Sequence, residues 1–167
     1  DIQFDSSGYC NHCRRYHIEI QSLAYTDHHD RKRALDELVR RIRSAGKGKD
    51  YDCLIGLSGG ADSSYAAFIT KRVLGLRPLA VHVDNGWNTE LAVKNIENIV
   101  RKLDIDLITH VIDWQEFRQL QRAFFRASVV DLEMLSDNAI GVVLDRVARK
   151  HGIKYFLSGT NLATESI

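Results

Sequence analysis

The sequence predicts an α/β protein of three layers, a mostly parallel sheet with helices on both faces. Three observations carry this. Apolar runs suited to strands (52–57, 79–84, 107–112 and 153–157) alternate with helical patterns along most of the chain. The intervening stretches are about ten residues or longer, the length a crossover between parallel strands requires. The unusual loops all follow a strand, at Ser58–Ser64, Asp84–Trp87, Asp113-Trp114 and Ser158–Glu165. Ligands of parallel sheets sit beyond the carboxyl ends of the strands, so loops gathered there predict one site.

Residues 1–30 read as an irregular segment ahead of a domain over 31–167. Asp5-Ser6-Ser7-Gly8 is a turn cluster, and 25–30 is polar. Arg31 to Ala45 is an amphipathic helix with Leu35, Leu38, Val39 and Ile42 on one face, ended by Gly46 and Gly48. A helix is expected from Asp62 to Leu74, closed near Gly75 and Pro78. Asn88 is read as the cap of the next helix, whose apolar positions are Ala92, Ile96, Ile99 and Leu103. Further helices are expected over Trp114–Phe125 and Asp137–Lys150, the latter with Gly152 past its end. The chain stops just after its last ligand-type loop, which reads as a domain cut short at the C-terminus.

Composition narrows the function. The 167 residues make one domain by size, and a net charge of +1 points to neither nucleic acid nor membrane. No apolar run approaches about 18 residues and no signal-peptide pattern opens the chain. Three cysteines are too few and too uneven for a disulfide framework, which favours a reducing cytoplasm.

Ser58-Gly59-Gly60-Ala61-Asp62-Ser63-Ser64 carries most of the chemistry. A strand turning through paired glycines into a helix brings bare N–H groups to the positive end of the helix dipole, a seat for pyrophosphate. Asp62 does not favour a bare anion, so it implies a bridging cation such as Mg2+. A Walker loop needs a lysine that is missing here, and a dinucleotide Gly-x-Gly-x-x-Gly is absent as well. Ser-Gly-Gly-x-Asp-Ser instead resembles the PP-loop of the N-type ATP pyrophosphatases, which cleave ATP between its α and β phosphates. That resemblance implies an adenine nucleotide alpha hydrolase-like fold. It also implies adenylation of a substrate oxygen, then displacement of AMP by a nitrogen or sulfur nucleophile.

Across nearly the whole chain the order Gly8-Tyr9-Cys10-Asn11-His12-Cys13, Ser58–Ser64, Val83-Asp84-Asn85-Gly86-Trp87-Asn88, Val111–Phe117 and Ser158–Glu165 resembles the N-acetyl-sugar amidotransferases of bacterial surface-glycan synthesis. The family implies conversion of an acetamido group to an acetamidino group on a nucleotide-linked sugar or sialic-like acid, for lipopolysaccharide O-antigen or flagellin. Ammonia would come from a separate glutaminase with a cyclase-like partner. The resemblance gives Ser58, Gly59, Gly60, Ser63 and Ser64 the pyrophosphate of ATP, with Asp62 and Ser63 as catalytic residues. It gives Asp84, Asn85 and Gly86 the nucleoside side, and Ser158, Gly159 and Thr160 a second nucleotide loop. Asp62 and Glu165 would hold Mg2+, the Glu165 spacing being similar to that of NAD synthetases.

Other residues have a plainer reading beside the functional one. Cys10 and Cys13 form one Cys-x-x-Cys pair, and structural zinc needs four ligands. With a further pair outside these residues it becomes a Zn2+ knuckle; without one, it is two idle thiols. Trp87 stacks on a ligand or covers the core. Cys53 reads as a core residue, and His82 and His110 as structural histidines. The basic stretch from Arg31 to Lys49 reads as a solvated face rather than an RNA track. Asp131, Glu133 and Asp137 read equally as helix-capping acids or as groups that grip a sugar or position ammonia. Two rivals remain, a tRNA-thiolating or other adenylating enzyme and a non-enzymatic ATP-binding module.

Overall fold

Four parallel strands form the sheet in a computed structural model of the protein, in the order β3-β2-β1-β4. They are β1 (Cys53–Gly56), β2 (Pro78–Asp84), β3 (Asp106–Val111) and β4 (Phe156–Leu157). The helices are α1 (Asn11–Ala24), α2 (His28–Ala45), α3 (Ala61–Phe68), α4 (Glu90–Leu103), α5 (Trp114–Arg126) and α6 (Met134–His151). The structure describes residues 1–24 and 28–160. It divides into one unit of Asp1–Arg40 with Thr160–Ile167, and a second of Arg41–Gly159.

In the first unit the turn cluster is as expected, with the Asp5 carboxylate accepting from the N–H groups of Ser7 and Tyr9. An antiparallel bridge joins Phe4 to Cys10. The expectation of irregular chain up to residue 30 fails at α1. Cys13, Tyr16, Ile20 and Leu23 recur at helical spacing, and local support includes an i,i+4 pair, Arg15 Nε to Glu19 Oε1 at 2.7 Å.

In the second unit β1 is central, with Leu54 beside both Leu79 and Phe156, so it must be apolar on both faces. Ile55 and Leu57 pack with Ala67 of α3 and with Ile96 and Leu103 of α4. Leu54, Leu79 and Val81 pack with Val143 and Val147 of α6 on the opposite face. The three predicted layers are therefore present. β3 lies at the sheet edge and exposes Asp106, Thr109 and His110, as edge strands do.

The entry to β1 is pinned by a bidentate pair. Arg77 Nη2 reaches Asp52 Oδ1 at 2.6 Å, while its Nε and its backbone N–H reach Oδ2 at 3.1 and 2.8 Å. Burial pushes the Asp52 carboxyl up, but the Arg77 hydrogen bonds outweigh it and hold the group below the usual range. Gly46 lies against this carboxylate, where a Cβ would come within 2.3 Å of Oδ1.

Several boundaries differ from the sequence reading. α3 ends at Phe68 and continues as one π turn over Ile69–Val73. The cap of α4 is Thr89, whose hydroxyl accepts from Ala92 N–H at 3.1 Å, and not Asn88. α6 begins at Met134, where Asp131 Oδ1 accepts its N–H at 3.0 Å. β4 is only two residues long.

Candidate active site

The strand order places the loops. From β1 the chain adds β2 and then β3 on one side, and β4 returns to the other side of β1. The switch point therefore lies between β1 and β4, and the loops after these two strands flank it. They are Ser58–Gly60 and Ser158-Gly159. A Cβ on Gly159 would lie 2.7 Å from the Asp62 carbonyl and 2.9 Å from Ser63 N. Only a bare glycine lets the two loops touch.

The first loop is built to leave N–H groups open. Gly59 has φ +80°, and its missing Cβ makes room for the Ala92 carbonyl, which a Cβ would meet at 2.4 Å. Asn95 Nδ2 donates to Gly59 O at 3.0 Å and fixes that peptide from α4. Gly60 is the N-cap of α3 in an extended conformation, with no side chain capping the helix. Ser63 Oγ accepts from Ser58 N–H at 3.2 Å and lies 3.0 Å from Ser58 Oγ, so these hydroxyls close the loop on itself. Ser64 Oγ donates to the Gly60 carbonyl. Among the described residues the N–H groups of Gly59, Ala61, Asp62 and Ser63 have no acceptor. Four open donors at the positive end of a helix suit a pyrophosphate.

Asp62 is exposed on the first turn of α3, and among the described residues its carboxylate takes no hydrogen bond or ion pair. A free carboxylate beside an anion seat fits a hard cation such as Mg2+, which takes one or two carboxylates together with phosphate oxygens. Its expected companion Glu165 lies, with 161–167, outside the described residues.

The turn after β2 is ordered by its own side chains. Asp84 Oδ1 accepts from Gly86 N–H at 3.0 Å, and Asn85 Oδ1 from Trp87 N–H at 3.1 Å. Gly86 has φ +81° and sits under Trp114, whose ring a Cβ would strike at 2.4 Å. Trp87 and Trp114 meet edge to face with centroids 5.6 Å apart, and Trp87 Nε1 donates to Gln121 Oε1 at 2.9 Å. Trp87 therefore does not cover the core; it stands 63% exposed in a fixed orientation.

Sequence reasoning missed what ties these two loops together. Buried His82 donates from Nδ1 to the Leu57 carbonyl at 2.9 Å, just before the Ser58–Ser64 loop. Its Nε2 accepts from Asn88 Nδ2 at 3.1 Å, and the same amide donates to Asp84 Oδ1 at 2.9 Å. The histidine is structural, as expected, but it joins the loops after β1 and β2. Nothing in the sequence distinguished it from any other strand histidine. Asn88 was visible only as a cap.

The cysteines separate cleanly. Burial, then the neighbouring Asp52 charge, pushes the Cys53 thiol up to about 12, so it stays protonated in the core. Cys10 and Cys13 lie with sulfurs 3.3 Å apart. Hydrogen bonds from the backbone and side chain of Cys13 lower the Cys10 thiol. Among the described residues no group of three or more metal-ligating side chains comes together, so the pair supplies two of the four ligands that structural zinc needs.

With that geometry in place, the comparisons fall into order. The NAD synthase family matches residues 32–149. The chain belongs to that family, and through it to the PP-loop ATP pyrophosphatases. An uncharacterised protein of Methanocaldococcus jannaschii is 26% identical over 165 residues, 96% of this chain and 54% of that one. The glutamine-hydrolysing GMP synthase of Pyrobaculum aerophilum is 30% identical over 130 residues, 75% of this chain and 24% of the synthase. The NH3-dependent NAD synthetase of Campylobacter jejuni superposes with a TM-score of 0.52 at 17% identity, covering 73% of this chain and 53% of its own, a likeness of fold. The chain thus spans about half or less of the length of these relatives.

Proposed function

We propose that this chain is the ATP-cleaving part of an amidotransferase that turns the acetamido group of an N-acetyl sugar into an acetamidino group. The carrying observation is the row of open N–H groups from Gly59 to Ser63, with Gly159 pressed against the Asp62–Ser63 peptide. Family membership supports the ATP chemistry. The names of relatives, which include an NH3-dependent and a glutamine-hydrolysing synthetase, support ammonia as the nitrogen source.

The chemistry needs few protein groups. An amide carbon is a poor electrophile and its oxygen a poor leaving group. Attack of that oxygen on the α-phosphorus breaks the bond to the β-phosphate bridge, and pyrophosphate leaves with the electron pair. Ammonia then adds to the imidate carbon, the C–O bond breaks, AMP departs, and loss of a proton leaves the amidine. In this scheme Ser58, Gly59, Gly60, Ser63 and Ser64 hold the departing pyrophosphate through the loop amides and the hydroxyl-closed frame. Mg2+ bound by Asp62, with Glu165, would neutralise charge on the leaving group. Asp84, Asn85 and Gly86 position the nucleoside, and Ser158, Gly159 and Thr160 hold the α-phosphate side. The protein's contribution is positioning and preorganised electrostatics rather than covalent work.

The acceptor is a nucleotide-linked N-acetyl sugar or sialic-like acid of lipopolysaccharide O-antigen or flagellin synthesis. A separate glutaminase with a cyclase-like subunit supplies the ammonia. The site of action is the cytoplasm, where such precursors and ATP occur together. Among the described residues no helix is long and apolar enough to cross a membrane. Zn2+ at Cys10 and Cys13 belongs to this reading only with two further ligands from outside the described residues.

The test uses the full-length protein with ATP, Mg2+, an ammonium salt and a panel of nucleotide-linked N-acetyl sugars, read by phosphorus NMR and mass spectrometry. AMP and pyrophosphate should form only with a sugar present, and one sugar should exchange an oxygen for NH. Asp62→Ala should abolish both. Pyrophosphate release that responds to tRNA and to no sugar would replace this reading with the thiolating one. ATP binding without AMP under any acceptor would leave only a binding module.

A further inference from the structure

Beyond β2, on the α6 side of the sheet, lies a cleft of about 420 Å3 to which the Ser58–Ser64 loop contributes no residue. That volume suits a small molecule. Asn85 and Trp87 enter it from the turn after β2, Gln121 from α5, and Glu133, Ser136 and Asp137 from the start of α6. Three features of this lining define what fits.

The first is an aromatic platform. Trp87 is largely exposed yet held by a hydrogen bond to Gln121 and by an edge-to-face contact with Trp114. An indole fixed this way presents a flat apolar face to whatever enters. Phe125 and Ile140 add apolar surface to the same cleft.

The second is acceptor chemistry. Asp131 is occupied in capping α6, whereas the Glu133 and Asp137 carboxylates take no side-chain partner among the described residues. Asn85 Nδ2 lies 3.5 Å from Ser136 Oγ, the outer limit of a hydrogen bond, so these groups retain capacity for a ligand. The third is the sign of the charge. No lysine, arginine or histidine lines the cleft, so two carboxylates stand there without a cation. Phosphate is repelled, and a purine edge, mostly acceptor nitrogens, gains little. A pyranose matches on each count. It offers vicinal hydroxyl donors to carboxylates, an apolar C–H face to an indole, and an acetamido N–H to an acceptor.

We propose that this cleft seats the pyranose ring of the N-acetylated acceptor, its C–H face on Trp87 and its hydroxyls donating to Glu133 and Asp137. The inference rests on the reading given under the proposed function and assigns its acceptor subsite. Asn85 then stands at the boundary between nucleoside and sugar.

The test separates the sugar from ATP on the full-length protein. Saturation-transfer NMR with UDP-N-acetylglucosamine, UDP-N-acetylgalactosamine and N-acetylneuraminic acid, in the presence of ATP, reads contact with the ring and acetyl protons. Calorimetry reads ATP binding separately. Ser136→Trp fills the cleft, and Asp137→Asn and Glu133→Gln remove charge while keeping shape. Transfer to the ring protons should vanish in Ser136→Trp. Sugar affinity should fall about tenfold or more in each carboxylate variant, the loss of one charge-assisted hydrogen bond. ATP affinity should stay within about twofold of wild type. A fall in ATP affinity in these variants would give the cleft to the nucleoside and overturn the inference. Sugar binding that survives Ser136→Trp would overturn it equally. In both cases sugar-dependent pyrophosphate release by the wild type would leave the proposed function standing. If no sugar in the panel binds or promotes that release, both fall.

Discussion

Replacing Gly159 with alanine tests the contact that brings the loops after β1 and β4 together. Its Cβ would sit 2.7 Å from the Asp62 carbonyl, where ordinary contact begins at 3.4 Å. The loops must therefore part by about 0.7 Å, and the obstacle is backbone rather than a pliable side-chain tip. Overpacking of this kind costs about 1–3 kcal/mol. Gly159 does not have a positive φ, so the cost comes from the close approach alone. The displaced atoms are the Asp62–Ser63 peptide, whose N–H groups we propose receive the pyrophosphate, so the strain should appear mainly in ATP affinity. We expect a loss of about tenfold or more, with a melting temperature lower by several degrees (about 2–4 °C per kcal/mol). Calorimetric titration with ATP and a thermal melt read both. Gly141→Ala is the control: nothing lies within 4 Å of its Cβ in the exposed middle of α6. It should leave ATP binding unchanged and stabilise by about 0.5–1 kcal/mol. A Gly159→Ala protein that binds ATP like wild type would refute the reasoning.

His82→Phe removes the hydrogen bonds to the Leu57 carbonyl and from Asn88, so ATP affinity should fall about tenfold while the sheet persists by circular dichroism. Iodoacetamide at neutral pH should label Cys10 and Cys13 in the native protein and reach Cys53 only after denaturation, a difference peptide mapping reads directly. The depressed Asp52 carboxyl contributes stability that is complete above its unfolded value near 3.9 and fades as pH falls through its lower folded value. In Arg77→Met the side-chain hydrogen bonds are lost while the backbone N–H of residue 77 and the Arg43 charge still act against burial, so the carboxyl should rise toward its unfolded value and this acid-side loss of stability should shrink. Arg77 is half exposed, so solvent screening limits the cost at neutral pH to about 1–3 kcal/mol by urea denaturation.

Sheet and site were legible to different depths. Strands β1 and β2 were visible because burial on both faces leaves an unbroken apolar run, and the glycine pair after β1 marked a phosphate-type loop before any strand order was known. α1 was hidden by the turn cluster and the polar stretch that flank it, although Cys13, Tyr16, Ile20 and Leu23 recur at helical spacing. Asn88 misled because a capping residue and a network residue look alike in one dimension, and the neighbouring Thr89 does the capping. His82 and Asn95 act through hydrogen bonds to backbone carbonyls 25 and 36 positions away, a distance in sequence that no local pattern records. The cleft beside Trp87 draws on three separate segments and exists only once the chain is folded.

The bend between β1 and α3 must receive the β- and γ-phosphates if the account is right. A crystal structure of the full-length protein with Mg2+ and an ATP analogue bearing a methylene between its α and β phosphates addresses this directly. Phosphate oxygens should lie within hydrogen-bonding distance of the amides of Gly59, Ala61, Asp62 and Ser63. A triphosphate bound elsewhere, with those four amides untouched, would contradict it.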